Sequence, residues 1–184
     1  GGAVTIAIDR NLGDRKVAIK SFADGPADKG GAYTRKDAMR LASLEHGHLV
    51  PIIDFFENGD EACLVLAVTE GRPLSSIAAE RDVSVSEALS WIEQITRVLA
   101  YLHGQSPPVA FRDLKPSNVL IDDVGRVRLV PFGVAQALEA EQSARPFLRD
   151  AEAAAYGAPE QLGNAEVDER ADIYSVGALL YRLL

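Results

Sequence analysis

A chain of 184 residues with 47% hydrophobic and 25% charged residues is long enough to bury a core, as one globular unit or as two small lobes. Its formal net charge of -8 excludes a general nucleic-acid-binding surface, because such a surface needs basic groups that displace phosphate counterions. The single cysteine, Cys63, excludes a disulfide framework and a cysteine-rich metal site, and we expect a cytoplasmic setting. The opening GGAVTIAIDR lacks a signal-peptide pattern, and no apolar run is long enough to span a bilayer.

The first third of the chain is predicted to be rich in β-strands. The runs VTIAI and KVAIKSF flank a turn at Gly13 and form a hairpin pattern. A Gly/Pro-rich loop follows, and apolar residues at helical spacing predict a helix over residues 33–44. The run VPIIDFFENGDEACLVLAV then predicts a second hairpin at Asn58 and Gly59.

The remainder is predicted to be mainly helical. Ser84 and Glu87 have the spacing of a capping box, and Trp91 is interpreted as helix packing. The residues that follow the cap at helical spacing are Leu89, Ile92, Ile95, Leu99 and Leu102. NVLIDDVGRVRLV predicts a short hairpin, an Ala/Glu-rich stretch comes next, and ADIYSVGALLYRLL predicts a last helix. We therefore expect a small α+β lobe over residues 1–69 and a larger helical lobe over residues 70–184.

Two short segments carry residues suited to phosphoryl transfer. In FRDLKPSN, Asp113 can act as a base toward a hydroxyl group, Lys115 can neutralise phosphoryl charge, and Asn118 can offer an oxygen to Mg²⁺. Lys20 closes the apolar strand VAIK, where a fixed cation can meet nucleotide phosphates. A polar loop with Pro116 as turn former would explain the composition of FRDLKPSN, but not the offsets of its Asp, Lys and Asn.

With AYGAPEQL and DIYSVGALLYRLL downstream in the same order, the sequence resembles the eukaryotic-type Ser/Thr protein kinase family, particularly its bacterial members. The resemblance implies an α+β bilobal kinase fold, with ATP and Mg²⁺ bound in the cleft between the lobes. It covers almost the whole chain but not a whole kinase domain. The start of the Gly-rich loop and the later helices of the larger lobe are expected to lie outside these 184 residues.

The resemblance also implies roles for individual residues. Asp113 and Lys115 match the catalytic pair, Asn118 matches a metal ligand, and Asp172 matches the buried acid that holds the catalytic loop. The positions that match the nucleotide site are Gly2 in the Gly-rich loop, Val4, Ala18 and Leu120 around the adenine, Lys20 at the phosphates with Asp37 as its acid, Leu66 as the gatekeeper, and Ala67 and Val68 in the hinge.

The chain departs from the family where the second metal ligand belongs. Pro131 replaces the aspartate that chelates Mg²⁺, and a proline side chain has no oxygen to offer. Asp122 and Asp123 lie at a hairpin turn and are not expected to substitute for it. Phe111 replaces a histidine in a packing position, and Ala153 replaces a threonine that braces the catalytic aspartate.

Four functions are compatible with these residues. We favour an ATP-binding pseudokinase that acts through contacts with a protein partner. An active Ser/Thr kinase that phosphorylates a protein substrate is the alternative, because Asp113, Lys115 and Asn118 are all present. A small-molecule phosphotransferase of the antibiotic-kinase type is disfavoured by GAPEQL, which belongs to the peptide-binding side of protein kinases. A structural domain without nucleotide is the remaining possibility.

Overall fold

The computed structural model describes residues 4–22, 42–58, 61–131, 151–162 and 167–184. The chain divides into two compact units, and each is described by itself. The first comprises Gly1–Glu45 and Val50–Thr69, and the second comprises His46–Leu49 and Glu70–Leu184. Gly2, Asp37 and most of the helix expected over residues 33–44 lie outside the described residues.

The first unit contains a four-stranded antiparallel sheet in the order β1-β2-β4-β3. Its strands are β1 Val4–Asp9, β2 Arg15–Phe22, β3 Ile52–Asn58 and β4 Glu61–Ala67. The turn between β1 and β2 follows from local chemistry: the Asp9 side chain accepts a hydrogen bond from the Asn11 N–H, and Gly13 adopts the left-handed conformation with φ 73°. The central strands β2 and β4 supply much of the core, including Val17, Cys63, Leu64 and Leu66.

Among its described residues, the second unit combines four α-helices with a small three-stranded sheet in the order β5-β6-β7. The helices are α1 Leu74–Glu80, α2 Val85–His103, α3 Ala151–Tyr156 and α4 Arg170–Leu183, and the strands are β5 Arg72–Pro73, β6 Val119–Ile121 and β7 Val127–Leu129. Helix α2 contacts both α4 and β7, so it forms the centre of this unit. In the part of the chain that the structure describes, no helix is long and apolar enough to cross a membrane.

Helix α2 begins as the sequence predicts, and its buried stripe includes Ile95, Leu99 and Leu102 of the residues named from their spacing. Ser84 and Glu87 form both hydrogen bonds of a capping box. Leu89, one of the residues that recur at helical spacing after the cap, is 52% exposed. The stripe that packs inward is Ala88, Trp91, Ile95, Val98, Leu99 and Leu102. Leu89 is one position away from Ala88, which places it about 100° around the helix from the core-facing side.

Residues 46–49 belong to the second unit because they are bound to β7. The Leu129 N–H donates to the His48 carbonyl at 2.8 Å, and His48 Nδ1 lies 2.7 Å from the Val127 carbonyl oxygen. The His46 ring packs 5.2 Å from the Tyr101 ring, measured between centroids. These contacts attach the segment that precedes β3 to the β6–β7 sheet and α2.

Candidate functional site

The loop between α2 and β6 brings together three of the residues that the sequence singles out. Asn118 Nδ2 donates to the Asp113 carbonyl oxygen and to Asp113 Oδ2, each at 2.8 Å. Lys115 Nζ lies 3.4 Å from Asp113 Oδ1, and both side chains are largely buried. A 3₁₀ turn at Pro116–Asn118 fixes this geometry, with Pro116 at its first position, where a missing N–H costs nothing.

The chemistry of this cluster is that of a held carboxylate beside a cation. The Asn118 amide fixes one oxygen of Asp113, so the carboxylate has a defined orientation from which to accept a proton or a hydrogen bond. The Lys115 ammonium group lies next to the Asp113 carboxylate. Because both side chains are largely buried, water screens the attraction between the two charges only weakly. The arrangement can orient a hydroxyl group and stabilise an anionic group near it.

Asp172 of α4 holds the start of this loop from inside the unit. Its carboxylate is fully buried and accepts hydrogen bonds from the Phe111 N–H at 2.7 Å and the Arg112 N–H at 2.6 Å. His103 Nε2, at the end of α2, lies 2.8 Å from the same carboxylate. Arg112 has φ 63°, an unfavourable conformation for a residue with a side chain, and the two hydrogen bonds stabilise it there. The sequence indicated Asp172 but gave no role to His103.

The segment that contains GAPEQL is hydrogen-bonded to the same loop. Gln161 is buried, accepts from the Ala158 N–H at 2.9 Å, and donates to the Arg112 carbonyl at 2.7 Å. The Arg112 guanidinium group donates to the Val167 carbonyl at 2.7 Å. From the sequence, GAPEQL was only a motif that indicated the family. The hydrogen bond between Gln161 and Arg112 joins residues that are distant in sequence, so no local pattern predicts it.

A second connection, between α3 and the loop that precedes β6, was also not predicted from the sequence. The Glu152 carboxylate of α3 accepts from the Ser117 hydroxyl at 2.6 Å and from the Ser117 N–H at 3.2 Å. Glu152 directly precedes Ala153, where the resemblance places a bracing threonine. A carboxylate from the neighbouring position therefore fastens α3 to the loop that carries Asp113, Lys115 and Asn118.

The residues expected at the nucleotide lie mostly in the first unit. Val4 pairs with Lys20, and Ala18 pairs with Leu66; because side chains alternate along a strand and paired residues share a face, these four lie on one face of the sheet. Ala67 ends β4, where its N–H donates to the Pro51 carbonyl at 2.9 Å, and Val68 follows it and is exposed. Leu120 belongs to the second unit, where it pairs with Pro73 and Arg128.

Comparison with known proteins assigns the family. The model of the protein kinase domain matches residues 1–184. This chain belongs to the protein kinase domain family. The resemblance to bacterial Ser/Thr kinases and the prediction of a kinase fold are thereby confirmed.

Three bacterial protein kinases illustrate the similarity of this kinase domain to known proteins. It is 36% identical over 190 residues to Serine/threonine-protein kinase pkn2 of Myxococcus xanthus, covering 100% of this chain and 22% of that protein. It is 32% identical to PrkC of Bacillus subtilis, covering 93% of this chain and 26% of that protein. It is also 32% identical to PknA of Mycobacterium tuberculosis, covering 98% and 43%. The chain thus spans less than half the length of each of these relatives.

A solved structure supports the same assignment. The structure of Rad53 1-466 in complex with AMP-PNP superposes with a TM-score of 0.74 and 26% sequence identity. The match covers 100% of this chain and 44% of that one.

At position 131 this kinase domain offers no anionic oxygen to a magnesium ion. Pro131 is buried and follows Val130, whose N–H donates to the Asn118 carbonyl at 2.9 Å, so the proline lies beside Asn118 without an oxygen ligand on its side chain. Among the residues that the structure describes, no group of three or more His, Cys, Asp and Glu side chains could hold a metal ion. Asp122 instead accepts from the Arg126 and Val124 N–H groups of the β6–β7 turn, and these hydrogen bonds lower the pKa of its carboxyl group.

Proposed function

We propose that this kinase domain binds ATP and acts mainly through contacts with a protein partner, with weak or no phosphoryl transfer. The observation that carries the proposal is Pro131, fixed next to Asn118 by the hydrogen bond between Val130 and Asn118. A kinase transfers a phosphoryl group with the help of metal ions that neutralise the developing charge, and the anionic ligand for such an ion is missing at this position.

ATP binding is supported by the residues of the first unit and by the family. Lys20 shares a sheet face with Val4, Ala18 and Leu66, an arrangement that offers an apolar surface to a base and a cation to phosphates. Rad53, a related structure, is in complex with AMP-PNP. We therefore assign ATP as the ligand of this domain, bound with little or no help from Mg²⁺.

An active Ser/Thr protein kinase is the second candidate, favoured by a specific observation. Asp113, Lys115 and Asn118 keep the geometry of an oriented base beside a cation, and a domain that only binds partners has no chemical need for it. The three bacterial relatives named above are called Ser/Thr protein kinases. In this alternative the substrate is a protein hydroxyl group.

Calorimetric titration of the chain with ATP, once with Mg²⁺ and once with EDTA, separates the two candidates. The favoured function predicts similar affinity in both solutions, because no carboxylate at position 131 couples the ion to the phosphates. Affinity that rises tenfold or more with Mg²⁺ would contradict it and favour the active kinase, since 1.4 kcal/mol of metal-dependent binding corresponds to a factor of about ten.

The variant Pro131→Asp tests whether the missing ligand is the cause. We expect it to make ATP binding dependent on Mg²⁺ and to raise phosphorylation of a generic Ser/Thr substrate such as myelin basic protein, measured with radiolabelled ATP. The matched control, Asp113→Asn in the Pro131→Asp background, should keep the metal-dependent binding and lose the transfer. If Pro131→Asp changes neither binding nor transfer, metal capture is not the missing element.

A further inference from the structure

The short segment His46–Leu49 is attached to the second unit by hydrogen bonds, some of which involve histidine rings. It belongs to the second unit, whereas the residues directly before and after it belong to the first. The Leu129 N–H donates to the His48 carbonyl at 2.8 Å, and a parallel bridge joins Leu49 to Leu129. The segment therefore connects the chain that leads into β3 to strand β7.

The hydrogen bonds determine which ring nitrogen carries the proton in each of the two histidines. His48 Nδ1 lies 2.7 Å from the Val127 carbonyl oxygen, and because a carbonyl oxygen only accepts, Nδ1 of His48 carries a proton. His46 Nδ1 accepts a hydrogen bond from the His48 N–H at 3.2 Å, so this nitrogen carries none. The neutral His46 ring therefore has its proton on Nε2.

The two rings respond differently to a second proton. A charged His48 ring keeps its Nδ1–H and its hydrogen bond to the Val127 carbonyl. A charged His46 ring has a donor at both nitrogens, so Nδ1 can no longer accept from the His48 N–H. The hydrogen bond inside the His46–Leu49 segment thus requires a neutral His46.

The surroundings of the His46 ring also favour its neutral form. The ring is half-buried, and its centroid lies 5.2 Å from that of Tyr101 on α2 and 5.7 Å from that of His48. Burial, and then the positive charge that His48 can carry, lower the pKa of His46 from its ordinary value of 6.5. Geometry and electrostatics therefore act in the same direction.

Two further charged side chains lie close in sequence to these contacts. Glu45 directly precedes His46 and is exposed, so water screens its attraction for a charged ring. Arg128 lies on β7 between Val127 and Leu129, which are both buried. Because side chains alternate along a strand, Arg128 lies on the opposite face from these two residues.

We propose that the His46–Leu49 segment is an acid-sensitive attachment, which protonation of His46 releases from α2 and β7. The neutral ring accepts the His48 N–H, whereas the charged ring loses this bond. Since the pKa of His46 is lowered in the attached segment, its contribution to the attachment is fully present above pH 6.5 and is lost as the pH falls further. The chain passes from one unit to the other at both ends of this segment, so the release acts on that connection.

Nitrogen-15 NMR of the imidazole rings tests the positions of the protons. The chain has three histidines, so their signals can be told apart, and none of the measurements depends on the proposed function. We expect a proton on Nε2 of His46 and on Nδ1 of His48 at about pH 7.5, and a pKa below 6.5 for His46. A proton on Nδ1 of neutral His46 would overturn the proposal. So would a pKa at or above 6.5, which would mean that the Tyr101 ring stabilises the charged form.

Amide hydrogen exchange tests the release itself. The amides to follow are those of Leu129 and of Leu49, which donates to the His46 carbonyl at 2.9 Å. After correction for the intrinsic effect of pH on exchange, their protection should fall about fivefold from pH 7.5 to pH 5.5, the loss of roughly one hydrogen bond. The Phe111 N–H, which donates to Asp172, is the internal reference and should keep its protection.

An equal loss of protection at Phe111 would contradict the proposal. His103 contacts the Asp172 carboxylate that holds the Phe111 N–H, so this result would assign the acid response to His103 or to the whole unit. Protection of Leu49 and Leu129 that is independent of pH would exclude the release altogether.

The variant His46→Asn is the matched control. Its Oδ1 oxygen lies at the same distance along the side chain as Nδ1 and can accept the His48 N–H, but an amide does not titrate in this range. We expect the protection of Leu49 and Leu129 in this variant to agree within about twofold at the two pH values. An acid response that persists in His46→Asn would assign it to another group and overturn the proposal. The NMR measurement on the unaltered chain stays decisive even if the substitution disturbs the packing on Tyr101.

Discussion

At the scale of single residues, Asp172 supports the candidate site from a separate helix, α4. One buried carboxylate fixes two consecutive backbone N–H groups, those of Phe111 and Arg112, just before Asp113. The orientation of Asp113 therefore depends on a residue of α4 as well as on Asn118. An acid with this role is needed because Arg112 holds a left-handed backbone conformation that costs energy.

The first prediction concerns this carboxylate. Asp172→Asn should lower the free energy of unfolding by about 3 kcal/mol, because an amide offers a single acceptor oxygen and leaves one buried N–H without a partner. The measurement is urea denaturation followed by circular dichroism. Glu93→Gln, an exposed carboxylate on α2, is the comparison and should change the free energy by no more than about 0.5 kcal/mol. Equal effects of the two substitutions would show that Asp172 does not hold the loop.

At the scale of elements, α2 shows how far local chemistry determines structure. Its capping box is formed by residues three positions apart, and Arg81 adds a second partner for Glu87 at 2.6 Å. The hydrogen bonds from Arg81, and then those from the Ser84 hydroxyl and backbone, lower the pKa of Glu87 to about 2. The N-terminus of the helix is thereby stabilised by an ionised carboxylate.

The second prediction is a pH dependence at this cap. Because the pKa of Glu87 is lowered from 4.5 to about 2 in the folded chain, the unfolded chain takes up the proton first as the pH falls. The contribution of Glu87 to stability is thus fully present above pH 4.5 and is lost as the pH falls toward about 2. Urea denaturation of Glu87→Gln and of the unaltered chain should give a larger difference in unfolding free energy near pH 6 than near pH 3. The same difference at both values would refute this role of the cap.

The elements also show where prediction from sequence stops. The strands, the start of α2 and the loop with Asp113 follow from spacing within a few residues, and these were predicted. The contact of Glu152 with Ser117 joins positions 35 apart, and that of His103 with Asp172 joins positions 69 apart. Such pairs depend on how helices pack, so no local pattern could indicate them. The exposure of Leu89 has the same origin, because the packing of neighbouring elements determines which side of a helix faces inward.

At the scale of the whole molecule, all the predicted nucleotide residues except Leu120 belong to one compact unit, and the loop with Asp113 belongs to the other. Lys20 lies on β2 of the first unit, and Asp113 lies in the second. Under the proposed function, Lys20 contacts the phosphates from the first unit. The orientation of Asp113 depends on Asn118 and Asp172, which both belong to the second unit.

The third prediction follows from this separation. Lys20→Ala should weaken ATP binding about tenfold and reduce the rise in Tm that ATP produces, because a charge-assisted contact with phosphate is lost. Lys16→Ala, at an exposed position on the same strand, is the matched control and should leave the rise in Tm unchanged. Thermal denaturation with and without ATP is the measurement. An undiminished rise in Lys20→Ala would contradict the assignment of Lys20 to the nucleotide.

The hydrogen bonds of Asp172 have a further consequence, for the order in which the chain folds. They connect positions 60 and 61 residues apart, so closing that loop costs entropy before any of these bonds can form. The hairpin of β6 and β7 and the first turn of α2 need only neighbouring residues and can form early. We therefore expect the conformation of Asp113 to be established late, after α4 has docked, and a weakened Asp172 to accelerate unfolding more than it slows folding.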